Sequence, residues 1–202
     1  MNMRQDCLTE HRHVLTQQLA AAQLQWWQQA QAQLAQQPDA TTAALLSGQC
    51  KRQLPGHAVE LARALVLANA LEHTPVDEQL PLLRQLFLWG DDQEKIALLG
   101  ALDWLDSDGV CLELALQAGR TSNPQVFAAL ALDTAYPSRH YPERAFHQLV
   151  LKALGMGLDV GRLVGLTQHH SVSLNQLALD LLDEQLAAER TVSPRPAPSD
   201  RL

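Results

Sequence analysis

The stretch from Asp133 to Lys152 holds both tyrosines of the chain, Tyr136 and Tyr141, together with Arg139, His140, Arg144, His147, Gln148 and Lys152. Most of the rest is Leu, Ala and Gln. Each of these side chains brings its own chemistry. A guanidinium or an ammonium pairs with an anionic group. A tyrosine ring stacks on an aromatic body. An imidazole beside a carboxylate can move a proton. Pro137 and Pro142 stiffen the loop that carries the first half of the set. Arg144, Gln148 and Lys152 are spaced by four, so on a helix they form one polar stripe, with His147 next to it. A polar stripe meeting a rigid aromatic loop can form a pocket wall.

Asp133 falls where a helix should be ending. A carboxylate there opposes the helix dipole, and Arg139 or His140 across the turn is the natural partner. Three readings stay open. The segment staples one helical hairpin to the next. Or Asp133, Tyr136, Arg139, His140, Tyr141, Arg144, His147, Gln148 and Lys152 bind a small polar ligand or a partner. Or His140 and Asp133 are an acid–base pair of an isomerase or lyase. Asp133, His140 and His147 lack HExxH-type spacing and have no cysteine nearby, so no metal and no cofactor are assigned. Phosphate-binding glycine loops, the GxSxG elbow and CxxC pairs are absent from the sequence. His11 and His13 point apart on a helix, and His57, His73, His169 and His170 suggest no site.

The elements that position this segment read as helices throughout. The chain is 47% hydrophobic but only 4% aromatic, so its core must be Leu and Ala, both good helix formers. Leu8, Leu15, Leu19, Ala22 and Trp26 form one stripe, predicting a long N-terminal helix over 1–37. Its ten Gln between Gln17 and Gln37 belong to the solvated face. Trp26 and Trp27 cannot share the centre of one face, so one caps the core and the other packs on a neighbouring helix. Pro38-Asp39 ends this helix, and Ser47 to His57, with Gly48, Pro55 and Gly56, reads as a connection.

Further helices are predicted from His57 to Leu71, from Pro75 to Gly90, after Asp91-Asp92, after the Ser107-Asp108-Gly109 turn to Gly119, and from Asn123-Pro124. Another begins at Tyr141-Pro142-Glu143, with Phe146, Leu149, Val150, Ala153 and Leu154 on its apolar face. A last one runs from Ser173 to Arg190. Helix pairs recurring at roughly 30 residues predict an array of antiparallel hairpins, a HEAT-like α-solenoid, with an orthogonal bundle as the alternative. The domain expectation is one all-α unit over 1–190, the hairpin array occupying 57–190, and a disordered Pro-rich tail over 191–202.

A net charge of -7 suits neither a phosphate backbone nor an anionic membrane. No apolar run reaches the roughly 20 residues a membrane span needs. Cys7, Cys50 and Cys111 are far apart and odd in number, which points to a reducing compartment and a cytoplasmic protein.

The block Asn123-Pro124-Gln125-Val126-Phe127-Ala128-Ala129-Leu130-Ala131-Leu132-Asp133, with Tyr136-Pro137, Arg139-His140-Tyr141, Glu143, Ala145-Phe146 and Gln148 to Leu154, resembles the EboA family. The resemblance is sharpest from Asn123 to Leu158 and weaker back to Glu94–Trp104. Thr134 and His147 stand where the family pattern has Asn. The resemblance implies a bacterial accessory protein of secondary-metabolite traffic toward the cell envelope. It would bind a small aromatic or prenylated metabolite, or a membrane prenyltransferase-like partner, and it implies no defined activity.

Overall fold

The computed structural model describes residues 3–166. It contains ten α-helices and two short 3-10 turns, with no strand among the described residues. The all-α expectation holds. The helix expected from Ser173 to Arg190, the tail after it and His169-His170 lie outside the described residues.

The centre of the fold is α4, Val59–Glu72, in which every residue from Ala62 to Leu71 is buried. A helix buried on all sides over this run, Arg63 and Asn69 included, has no face to offer water, so other helices surround it. α3 (Ala40–Gln53) and α6 (Asp92–Leu105) pack on it, as do the two N-terminal helices.

Those two helices replace the single long helix read from the sequence. α1 spans Met3–Gln17 and α2 spans Ala21–Gln36. No proline or glycine marks the corner. The chain turns through Gln18 N–H donating to Leu15 O (3.0 Å), and the Gln23 side chain then accepts from Ala20 N–H (2.9 Å) to start α2. Leu15 and Trp27 are both buried, and both helices pack on α4. Tertiary burial, not a local breaker, decides the corner. Trp26 is half-buried, its ring 6.4 Å from that of Trp27.

α3 also differs from expectation, because it runs through the Gly48 region read as a connection. Asp39 caps it by accepting from Thr42 N–H (2.8 Å). Gly48 faces open space, so it costs only about 1 kcal/mol of helix propensity. Burial of Ala43, Leu46 and Cys50 on the opposite face outweighs that.

α5 (Val76–Trp89) precedes α6, which opens with a capping box. Asp91 accepts from Glu94 N–H (2.8 Å), and Glu94 accepts from Asp91 N–H (3.1 Å). α7 (Leu112–Ala118), α8 (Pro124–Ala131), α9 (Tyr136–His140) and α10 (Glu143–Gly155) follow. Asn123 caps α8 from the side chain, with Pro124 at its first position. α4, α6, α8 and α10 pack in series. Leu65, Leu99, Leu102, Leu130 and Phe146 are buried in this core. Truncating such a leucine to Ala costs about 2–5 kcal/mol. No helix among the described residues is long and apolar enough to cross a membrane.

Candidate functional site

The polar segment is mostly helical. α8 ends at Ala131, so Asp133 lies beyond the helix, not in its last turn. Asp133 has φ 56°, a left-handed conformation that Asp tolerates better than most residues. Its partner is neither Arg139 nor His140. Arg162 forms an ion pair with its carboxylate, and Asp133 N–H donates to Arg162 O at 3.0 Å. The positive φ turns Asp133 away from α9 and toward the 3-10 turn Val160–Arg162. Arg162 holds the Asp133 carboxyl below its usual range. Arg139 pairs instead with Asp103 on α6.

The aromatic half of the segment is a buried anchor. Tyr136 is fully buried, and its hydroxyl donates to Asp106 Oδ2 at 2.7 Å. Asp106 also accepts from Cys111 N–H (2.6 Å) and Val110 N–H (3.1 Å). Burial pushes the Asp106 carboxyl up, but these three donors outweigh it, and the net shift is downward. The Tyr136 hydroxyl is pushed strongly up, first by burial and then by the carboxylate it serves. His140 packs on the Tyr136 ring, centroids 4.7 Å apart. Its ring fills the space beside Gly109, where a Cβ would stand 2.5 Å from His140 Nδ1. Gly109 has φ 76°, so the turn needs glycine on both counts. His140 and Asp133 thus have separate partners. No group of three His, Cys, Asp or Glu among the described residues has a metal-holding arrangement.

Three of the sequence-selected residues do meet. Tyr141, Gln148 and Lys152 line a cavity of about 430 Å³ between α7, α8 and α10, with Phe127, Leu149 and Arg120. Tyr141 is buried, and its hydroxyl has no hydrogen-bond partner among the described residues. Burial raises its pKa strongly. Lys152 Nζ donates to Gly119 O (2.6 Å) and Thr121 O (2.7 Å) and stands 5.0 Å from the Phe127 ring centroid. It therefore caps the C-terminal end of α7, and desolvation lowers its pKa. An ammonium has three donors, so one remains for the cavity. Arg144 is exposed, and His147 stands beside Glu143 at 3.8 Å.

Arg120 and Phe127 were not singled out from the sequence. Phe127 reads there as one more apolar residue of α8. The only hint of Arg120 is the polar Arg120–Asn123 turn between two helices.

The family model described as metabolite traffic protein EboA matches residues 50–196 of the chain. No curated protein and no solved structure matches it.

Proposed function

This chain belongs to the EboA family of metabolite traffic proteins, and from that premise we propose that it works without catalysis, by holding a small aromatic or prenylated metabolite between α7, α8 and α10. The observation that carries this reading is the half-open cleft of about 430 Å³, whose volume falls within the range of small-molecule sites. Its floor is apolar, from Leu116, Phe127 and Leu149. Its polar groups are few: the Lys152 ammonium, the Arg120 guanidinium and the Gln148 amide, while the Tyr141 hydroxyl is buried behind the wall without a partner. An anionic group would engage Arg120 and the third Lys152 donor, and an apolar body would lie on Phe127. The remaining polar residues support the wall: Tyr136 and His140 hold α9 against the Asp106 turn, and Arg139 and Asp133 pin its two ends. The acid–base reading has less support, because His140 and Asp133 do not face each other.

We read the α3/α4, α5/α6 and α7/α8 pairs as a short HEAT-like stack, with α4, α6, α8 and α10 as its inner row. Such a stack would sit in the cytoplasm and hand its cargo to a membrane enzyme of the prenyltransferase kind.

The test is native mass spectrometry of protein purified from its own host. A retained small molecule should be lost from Lys152→Met, which keeps the aliphatic stem, and from Gln148→Trp, which fills the cavity from an exposed position. Far-UV circular dichroism of both variants should match the parent. Retention of the molecule by both folded variants would remove the assignment.

A further inference from the structure

α3, α4, α5 and α6 line a second, part-open cavity, away from the segment described above. Arg63 projects into it from the buried run of α4, with 6% of its surface exposed. Among the described residues its one hydrogen bond runs from Nε to Ser47 O, at 3.3 Å. A guanidinium has five N–H donors, so the four on its terminal nitrogens meet no protein acceptor. These nitrogens are not sealed from solvent: water reaches them through the cavity, and an acceptor entering it would replace that water.

The nearest acid does not fill that role. Glu94 lines the same cavity, but its Oε1 accepts from Ser47 Oγ at 2.8 Å and its Oε2 from Asp91 N–H at 3.1 Å. It is held in the capping box at the positive end of α6, where the helix dipole favours its negative charge. No Arg63–Glu94 ion pair forms among the described residues. Gly90 keeps the corner between α5 and α6 tight: a Cβ there would lie 3.0 Å from Leu86 O and 3.2 Å from Glu94 Cβ.

The water-accessible space of this part-open cavity is about 40 Å³. One water needs on the order of 10–15 Å³ by the same measure, so the space suits a group of about three heavy atoms. The remaining lining is apolar, including Leu67 and Leu98. Trp89 stands at the edge and is 54% exposed.

We propose that this cavity is a carboxylate-recognition site: Arg63 takes the carboxylate of a small molecule through its free terminal nitrogens, and the molecule's planar apolar body lies against Trp89. A carboxylate fits both the three-atom space and the guanidinium fork, which binds it through two parallel hydrogen bonds. This site is independent of the α7/α8/α10 cavity and stands or falls without it.

The test titrates the full-length protein with sodium benzoate and, separately, with benzamide, the neutral isostere. Tryptophan emission and calorimetry are read together. Benzoate should bind saturably and at least about tenfold more tightly than benzamide, the ratio expected when a charged hydrogen-bonding partner is lost. Arg63→Gln should weaken benzoate by a similar factor. Trp89→Phe should remove most of the emission change. Equal affinity for the two probes, no saturable benzoate binding up to its solubility, or full benzoate affinity in folded Arg63→Gln would each overturn the proposal. Where Arg63→Gln fails to fold, the two-probe comparison on Lys152→Met, together with loss of the emission change in Trp89→Phe, decides the matter, because it excludes benzoate held between α7, α8 and α10.

Discussion

The hydroxyl of Tyr136, on the five-residue helix α9, donates to the carboxylate of Asp106, thirty residues earlier, at 2.7 Å inside the core. The same carboxylate gathers Val110 N–H and Cys111 N–H. One acid therefore ties the α6–α7 turn to the helix that leads into the candidate cavity.

Removing the donor should be felt globally. Tyr136→Phe keeps the ring against His140 and loses only the hydroxyl. It should destabilise the protein by about 1.5–3 kcal/mol, as for a hydrogen bond to a charged acceptor. Asp106→Ala should cost more, because it leaves Tyr136 Oη–H and two backbone donors without their acceptor. Urea unfolding should show lower midpoints at unchanged slope. A Tyr136→Phe midpoint equal to the parent's would remove the anchor role.

The Asp106 pKa is lowered in the fold. Its stabilising contribution is therefore present above the unfolded carboxyl value, about 3.9, and is lost as pH falls below it through the folded value. Stability measured against pH should decline in that acid window, and Asp106→Asn should flatten the decline. A slope identical in parent and variant would show that other acids account for it.

Both tyrosines have raised pKa values, chiefly from burial. Stability from keeping them neutral is complete below the unfolded value, about 10, and is lost as pH rises above it. The chain has only these two tyrosines, so ultraviolet titration is unambiguous. Tyrosinate absorbance should appear only together with loss of helical dichroism. A tyrosinate step in the still-helical protein would contradict the buried placement.

The three cysteines are free thiols of unequal access. Burial raises Cys50 and Cys111 to about 12, with Asp106 adding to the effect at Cys111. Cys7 is half-buried, and its pKa is raised by desolvation and then by Glu10. Iodoacetamide near neutral pH should label Cys7 first and slowly, with the other two protected until unfolding. Peptide mapping that found Cys111 labelled first would mean that the Asp106 turn opens readily.

The left-handed residue at Asp133 should prefer glycine to a branched side chain. Asp133→Val should be less stable than Asp133→Gly by about 1–2 kcal/mol, the cost of a positive φ for a β-branched residue. Thermal unfolding of the pair checks this, and equal melting temperatures would show that the turn relaxes freely.

Much of this protein is written locally. Asn123-Pro124, Asp91 with Glu94, Pro142-Glu143 and the Leu/Ala stripes specify where α8, α6 and α10 begin and which faces they bury, because caps and periodicity act within a few residues. The sequence also marked Tyr141, Gln148 and Lys152, since polar and aromatic side chains crowd there against an apolar background. What it could not specify was decided between elements far apart in the chain. The corner between α1 and α2 has no breaker residue and exists because both helices pack on α4. Asp133 found Arg162 and Arg139 found Asp103, since ion-pair partners depend on which helices the core brings together. Arg63 reads in sequence as an interruption of an apolar run. Only the packing of α3, α5 and α6 around α4 turns it into a buried cation facing a cavity.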